Sequence, residues 1–555
     1  MEGNMEAVSD AVQAAQIVLR ELAAGAVTTS QRAEIFNDFD MVVAVSQQTI
    51  NEQLKKLVEQ GVIKSELLLA QTLAGQDYVY KLLDSPAELP PNSAYIIAKV
   101  QPRIVIPASG AALTLVLDFV SGKGGFWIGG AGPLATLSEF DMAGWSYGFT
   151  VTLDLAAVAA DDIASGRAVS DAIRKQLSEF QSQMFSISRL FLDFVSSDLL
   201  RFDPQTTSAG PQNAASKELA AFMQFYFKGI DHAANPFVLG YCVTAGDGTE
   251  EKGDQANVPD LLKPVGTAFT LYRDAEDANR STLNFALVTK GGHGRVPGSP
   301  PNMTASWLPP GAAAAVAYSH ACLVEPMLLQ PVFQQIRESV YAGISGNLSV
   351  GEGNDYAAAR TKTANGWTFS ISNVNGGDDQ YCNSFNVAVS QAPDSLRLDF
   401  RGTVSVHKEV SKNCFFCTAR GWATCTLAWS GTIDLAVVDG ALKVGGSGFK
   451  TDSSNNDHGT NTCADAFDWI GKIVGGILDV FTGFSDNFFF SKLISDAFSV
   501  RTPGIGVVSV ALGALADSAR STIVLPAGDQ FKFGNPPLAD DVGDLIIPLA
   551  YQTGR

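Results

Sequence analysis

FDMVVAVSQQTINEQL, residues 39–54, changes its hydrophobic period part-way along, and that change decides the fold class. Phe39, Met41, Val43 and Val45 alternate with the period of two that a pleated strand requires. Beyond Ser46 the spacing lengthens to three and four, so Ile50, Leu54, Leu57 and Val58 fall on one face of a helix that stops near Gly61. Glu52, Lys55, Lys56 and Glu59 take the other faces. Ser46 or Thr49 can cap the helix, and Thr49 with Glu52 fits a capping box. One apolar helix face needs a cover.

The cover lies downstream. Residues 95–106, 111–120 and 145–155 read as strands, and in the last of these Trp145, Tyr147, Phe149, Val151, Leu153 and Leu155 share a side. An eleven-residue strand spans about 35 Å, roughly twice the usual length, so such a sheet must twist and curl, and a helix fits its concave side. Upstream, Val8, Val12, Ala15, Val18, Leu19 and Leu22 describe an amphipathic helix over residues 5–24, ended by Gly25. Residues 201–217 and 245–257 read as surface loops.

The densest Pro/Gly punctuation is GGHGRVPGSPPNMTASWLPPG, residues 291–311, and the same order resumes after it. An alternating strand (Val316, Tyr318, His320, Cys322) leads to a helix with Pro331 in its first turn and Val332, Ile336 and Val340 on one face. Strands follow at Trp367–Ile371, Phe385–Val389, Leu396–Phe400 and Leu427–Val437, the last closed by an Asp439-Gly440 turn. A second amphipathic helix sets Phe467, Ile470, Val474, Ile477, Leu478 and Phe481 on one stripe. The expected architecture is α+β and β-rich: a helical extension (1–34), an elongated domain (35–290), a linker (291–311) and a second elongated domain (312–555). Each domain is expected to wrap a long curled antiparallel sheet around an amphipathic helix.

Composition narrows the function. The chain of 555 residues is 46% hydrophobic, 17% charged and carries a net charge of −19. Its pI is near 4.7. Nucleic acid is excluded as a partner, because phosphate neutralisation requires clustered Lys and Arg. The local cluster Lys55, Lys56 and Lys64 reads as an ordinary solvated face. The apolar runs fall short of the ~20 residues of a membrane-spanning helix, so no transmembrane segment is expected. The N-terminal sequence lacks a basic region followed by an apolar stretch, and cytoplasmic synthesis is expected, with any release independent of a visible signal peptide. Without a secretory route the sequons at Asn279, Asn302 and Asn347 read as coincidence.

Catalytic signatures do not emerge. The glycines of GKGGFWIGGAG (122–132) lack the following helix and the Lys-Ser/Thr pair of a phosphate cradle, and read as a Gly-rich hairpin. Cys414-x-x-Cys417, with Cys382 and Cys425 near in sequence, has no second CxxC, so buried free thiols are preferred over zinc or a disulfide. His458 with Asp457 and Cys463 lies in a Ser/Asn/Asp-rich stretch that reads as a loop. No catalytic residue, metal site or cofactor is assigned.

The opening at 39–54, together with PFVLGY (236–241), STLNFALVT (281–289), LPAGDQFKF (525–533) and DLIIPLAY (544–551), resembles the clostridial P47 family of neurotoxin gene clusters, in order over residues 35–555. That family belongs to the tubular lipid-binding (TULIP) superfamily. The resemblance implies two TULIP-like domains, binding of lipid or another hydrophobic ligand, and OrfX-type or toxin-cluster proteins as partners. The candidate apolar groove is lined by Ile50, Leu54, Leu57, Val58, Trp145, Phe149, Val332, Ile336, Trp429, Ile470, Val474 and Ile477. The competing expectation is that these side chains fill their own core. The protein is then a partner-binding accessory subunit, with the Phe488-Phe489-Phe490 cluster as a contact.

Overall fold

The structure, a computed structural model, describes residues 36, 39–74, 77–107, 112–128, 136–158, 185–195, 197, 202–208, 214–230, 235–245, 264–289, 306–323, 359–363, 366–373, 380–392, 394–414, 417–438, 441–445, 450–461, 523–527, 530–534, 536–539 and 544–552. The expected helices at 5–24, after Pro331 and over 467–481 lie outside these residues, as do Phe488–Phe490, Cys463 and the Asp439-Gly440 turn. The described architecture is α+β and β-rich, built from three curled antiparallel sheets.

The quoted stretch forms strand β1 (Met41–Ser46) and helix α1 (Gln47–Glu59). In the first sheet β1 lies between β11 (Thr282–Thr289) and β12 (Ala314–Tyr318), with Val43 opposite both Phe285 and Val316. Beyond them run β10 (Pro264–Tyr272) on one side, and β23 (Leu545–Gln552) and β21 (Gln530–Phe533) on the other. Alternation led to one buried face. Every residue of β1 is buried instead, because the sheet separates two cores. Met41, Val43 and Val45 enter the main core, and Val42 and Ala44 join a second one with Val288, Trp307, Leu308, Ala317 and Ile546.

The second sheet has the order β20-β9-β8-β7-β5-β4-β2-β3, with β6 (Thr136–Asp141) also on β5. Its long members are β4 (Ala94–Val105), β5 (Leu113–Ile128) and β7 (Ser146–Ala157), flanked by β2 (Glu66–Ala74) and β3 (Asp77–Leu82). On the far side run β8 (Phe185–Asp193), β9 (Val238–Ala245) and β20 (Ile523–Val524). Register shifts at Lys99/Val100 and Leu190/Phe191 mark bulges, the devices that bend a strand and raise its twist.

Residues 202–208 are not a free loop. They strap across β7, with bridges Ser146–Ser208 and Phe149–Phe202. Gly148 permits the crossing: a Cβ there would stand 2.0 Å from Thr206 Oγ1. Helix α2 (Ala214–Lys228) follows at once and buries Leu219, Phe222, Met223 and Phe227 against the concave side, in contact with β5 and β3.

The third sheet centres on β16 (Ser395–Cys414) and β17 (Cys417–Val438), each about 65–70 Å long at the rise of a strand residue. The sequence marks only their apolar ends. Backbone pairing is continuous from Ser395–Ala436 to Cys414–Cys417. Cys417 is disulfide-bonded, so the option ranked below free thiols is the one realised there. The Ser/Asn/Asp-rich stretch expected as a loop is strand β19 (Lys450–Thr460) on β17, where ladder hydrogen bonds override its weak strand propensity. His458 and Asp457 are exposed on it. Among the described residues no helix is long and apolar enough to cross a membrane.

Candidate hydrophobic-ligand site

Helix α1 is set by local chemistry at both ends. Ser46 is the cap: its Oγ accepts from Thr49 N at 3.1 Å, and the Thr49 hydroxyl donates to Ala313 O at 2.9 Å. The Thr49–Glu52 box is therefore not formed, since Thr49 already lies inside the helix. At the other end Gly61, at φ +75°, closes a Schellman motif, with Val62 N donating to Leu57 O and Gly61 N to Val58 O. The left-handed glycine turns the chain sharply into Ile63 and β2.

Ile50, Leu54 and Leu57 are buried in the main core, and α1 rests on β4. Amide side chains, which the sequence reading passed over, fix it there. Asn51 exchanges two hydrogen bonds with the Ile104 main chain, at 2.7 and 3.1 Å. Gln47 accepts from Ile106 N at 2.7 Å. Gln53 accepts from Ala527 N at 3.2 Å, while Gln60 donates to Ala527 O at 3.1 Å.

Trp145 and Phe149 belong to the same apolar cluster, and aromatic contacts link both to α2. Trp145 stacks on Phe126 with centroids 6.5 Å apart, and Phe126 meets Phe222 of α2 edge-on. Phe149 lies 5.0 Å from the Phe227 ring, which packs on Phe194 and Phe237. Helix α2 had a signal in sequence, Leu219, Phe222, Met223 and Phe227 at helical spacing, obscured by the Pro/Ser/Thr-rich run before it. Trp429 is buried in the third sheet beside Phe400 and Ile433, opposite Gly402 across β16. Val332, Ile336, Ile470, Val474 and Ile477 lie outside the described residues.

Val58 differs from its neighbours on the helix, because it lines a cavity of about 330 Å³ at the C-terminal end of α1. Ile63, Leu68, Leu82, Leu83 and Tyr226 supply the rest of its apolar lining, and Lys64, Glu66 and Asp84 supply charged lining. Val58 and Tyr226 pack directly on the main core, of which Ile63 is a member. Burial raises the Tyr226 phenol above its ordinary range, so it stays neutral. The cavity therefore has a mixed lining, with one ammonium and two carboxylates beside the apolar side chains. A second cavity, about 310 Å³, lies on the first sheet between the Pro309–Ala313 segment and Pro536, Leu538 and Pro548. No group of three or more potential metal ligands occurs among the described residues.

No family model matches the chain, and no curated protein matches it. The chain is similar to solved P47 structures. The structure of P47 from Clostridium botulinum A2 is 11% identical, with 92% of this chain and 97% of that chain covered and a TM-score of 0.43. P47 of Clostridium botulinum E1 gives 11% identity, 92% and 98% coverage and a TM-score of 0.45. A lipopolysaccharide binding protein is 9% identical over 93% of this chain and 100% of that one, with a TM-score of 0.25.

Proposed function

We propose that this chain is a non-enzymatic protein of TULIP type that takes a lipid or other hydrophobic ligand into the cavity at the end of α1. The observation that carries this reading is the cavity at Val58, whose apolar lining of Val58, Ile63, Leu68, Leu82, Leu83 and Tyr226 lies beside the main core on which Val58 and Tyr226 pack. Its volume of about 330 Å³ lies at the small end of ligand sites, so it suits part of an acyl chain rather than all of one. Each buried methylene contributes about 0.8 kcal/mol, against association costs of several kcal/mol, so micromolar affinity is expected.

The test is a solution titration with a fluorescent fatty acid, with and without chelator. Wild type is expected to saturate at one equivalent, unaffected by chelator, and Val58→Trp to weaken uptake by about ten-fold by filling the cavity mouth. Absence of saturable binding up to about 100 μM, roughly −5.5 kcal/mol, would overturn the reading.

A second reading is a partner-binding accessory subunit with packed, ligand-free domains. It draws on Leu54 and Phe149, which are fully buried among close-packed side chains. On this reading residues 35–290 and 312–555, joined by 291–311 and preceded by the extension 1–34, offer their surfaces to OrfX-type or toxin-cluster proteins. The same titration separates the two, since packed domains take up no fatty acid.

A further inference from the structure

Strand β3 carries a sequence that is complementary to itself. It ends the second sheet: it pairs with β2, and among the described residues no strand pairs with its outer edge. Asp77, Val79 and Lys81 are exposed on one face, and Tyr78 and Tyr80 are half-buried on the other. The exposed face ought to guard the edge, because a charged edge strand resists pairing with foreign strands. Here the two charges are opposite in sign and stand two residues either side of Val79.

We propose that β3 is the contact of a symmetric dimer, in which two copies of this chain join their second sheets by antiparallel pairing centred on Val79. In that register Asp77 of each copy faces Lys81 of the other, Val79 faces Val79, and Tyr78 faces Tyr80. Cross-strand pairs of opposite charge and of aromatic rings are the favourable combinations on a sheet face. The two-fold axis passes between the two Val79 residues, perpendicular to the sheet, so the charge pair and the aromatic pair each occur twice and the contact closes without leaving a new edge.

Two further features of the edge fit a second copy. Val79 is 48% exposed and Leu82 is 47% exposed, an apolar load that a solvated edge strand normally avoids. On the inner face Tyr80 stacks on Phe225 of α2 at 5.4 Å, and Phe225 is itself partly exposed, so an aromatic pair waits beside the place where Tyr78 of the second copy arrives. Lys81 now meets Glu88 at 3.7 Å across exposed side chains, a contact weak enough to be exchanged for Asp77 of the second copy. The interface is small, so the dimer is expected to form in the micromolar range.

Sedimentation velocity on the full chain, from about 1 to 100 μM, reads the dissociation constant. Wild type is expected to shift from monomer to dimer over this range. Asp77→Lys and Lys81→Asp each place like charges opposite one another twice, and each is expected to weaken the dimer by about ten- to a hundred-fold. The double variant Asp77→Lys/Lys81→Asp restores both pairs, and an equimolar mixture of the two single variants forms a heterodimer with both pairs intact. Both are expected to return to within about three-fold of wild type. All these side chains are exposed, and matched circular dichroism spectra establish that the variants fold. A wild type that stays monomeric at 100 μM overturns the proposal. So does a dimer that ignores the single substitutions, or one that neither the double variant nor the mixture restores.

Discussion

Ser46 and Gly61 bracket α1 with two devices of a single residue each, and each sets a measurable cost. Removing the cap with Ser46→Ala leaves Thr49 N without its acceptor and is expected to destabilise the protein by about 1 kcal/mol in chemical denaturation. Gly61→Ala meets no atom within 4 Å, so its cost is conformational alone, about 1 kcal/mol for an L residue held at φ +75°. Glu218 of α2 is a different case: burial raises its carboxyl above the ordinary 4.5, an effect only partly offset by a hydrogen bond with Gln71. The folded state then holds a proton that the unfolded chain releases, so stability falls as pH rises from 4.5 through the folded-state value. Glu218→Gln is expected to flatten that part of the curve and to leave the melting temperature at pH 7 equal to or above wild type. Burial also pushes the Cys242 and Cys322 thiols up to about 12. Both are expected to resist alkylation in the native protein at pH 8 and to react once it is denatured, read by peptide mass spectrometry.

Helix α1 and strand β17 each depend on one deeply placed side chain. Leu54 is fully buried and Trp429 is 1% exposed, so Leu54→Asp or Trp429→Asp places an unpaired carboxylate inside the core. Several kcal/mol of destabilisation, against a total of ~5–15, should remove most folded protein from expression and from thermal melts. Near-native melting of both would mean that the alternation in these elements points the other way. Sequence made these elements legible where one periodicity dominated, as in FDMVVAVSQQTINEQL. It left the cap open between Ser46 and Thr49, of which Ser46 is the one used, and it misled at KTDSSNNDHGT, which is a strand held by its ladder. Residues 202–228 were obscured for the opposite reason, since turn-forming residues straddle a strap and the start of α2. The cavity at Val58 could not be read at all. It depends on where the Schellman turn, the β2–β3 hairpin and Tyr226 meet, which no local pattern records.

Across the whole molecule, the first sheet gathers strands from remote parts of the chain, with β1 beside β12 and β12 beside β23. A chain ended at residue 290 would lack both β12 and β23, leaving β1 as an edge of six residues with five of them apolar. Such a fragment is expected to aggregate on expression, as sedimentation of the lysate would show, because an unpaired apolar edge templates further pairing. Non-local pairing of this kind also makes for slow folding, on the scale of milliseconds to seconds or longer. The tie between Gln53, Gln60 and Ala527 spans 467 residues or more, yet it reads only the main chain of Ala527. Over generations, then, position 527 is free to change among small residues while the two glutamines are not. The residues that fasten Ala527 to helix α1 would leave no correlated pair of substitutions as a record of their contact.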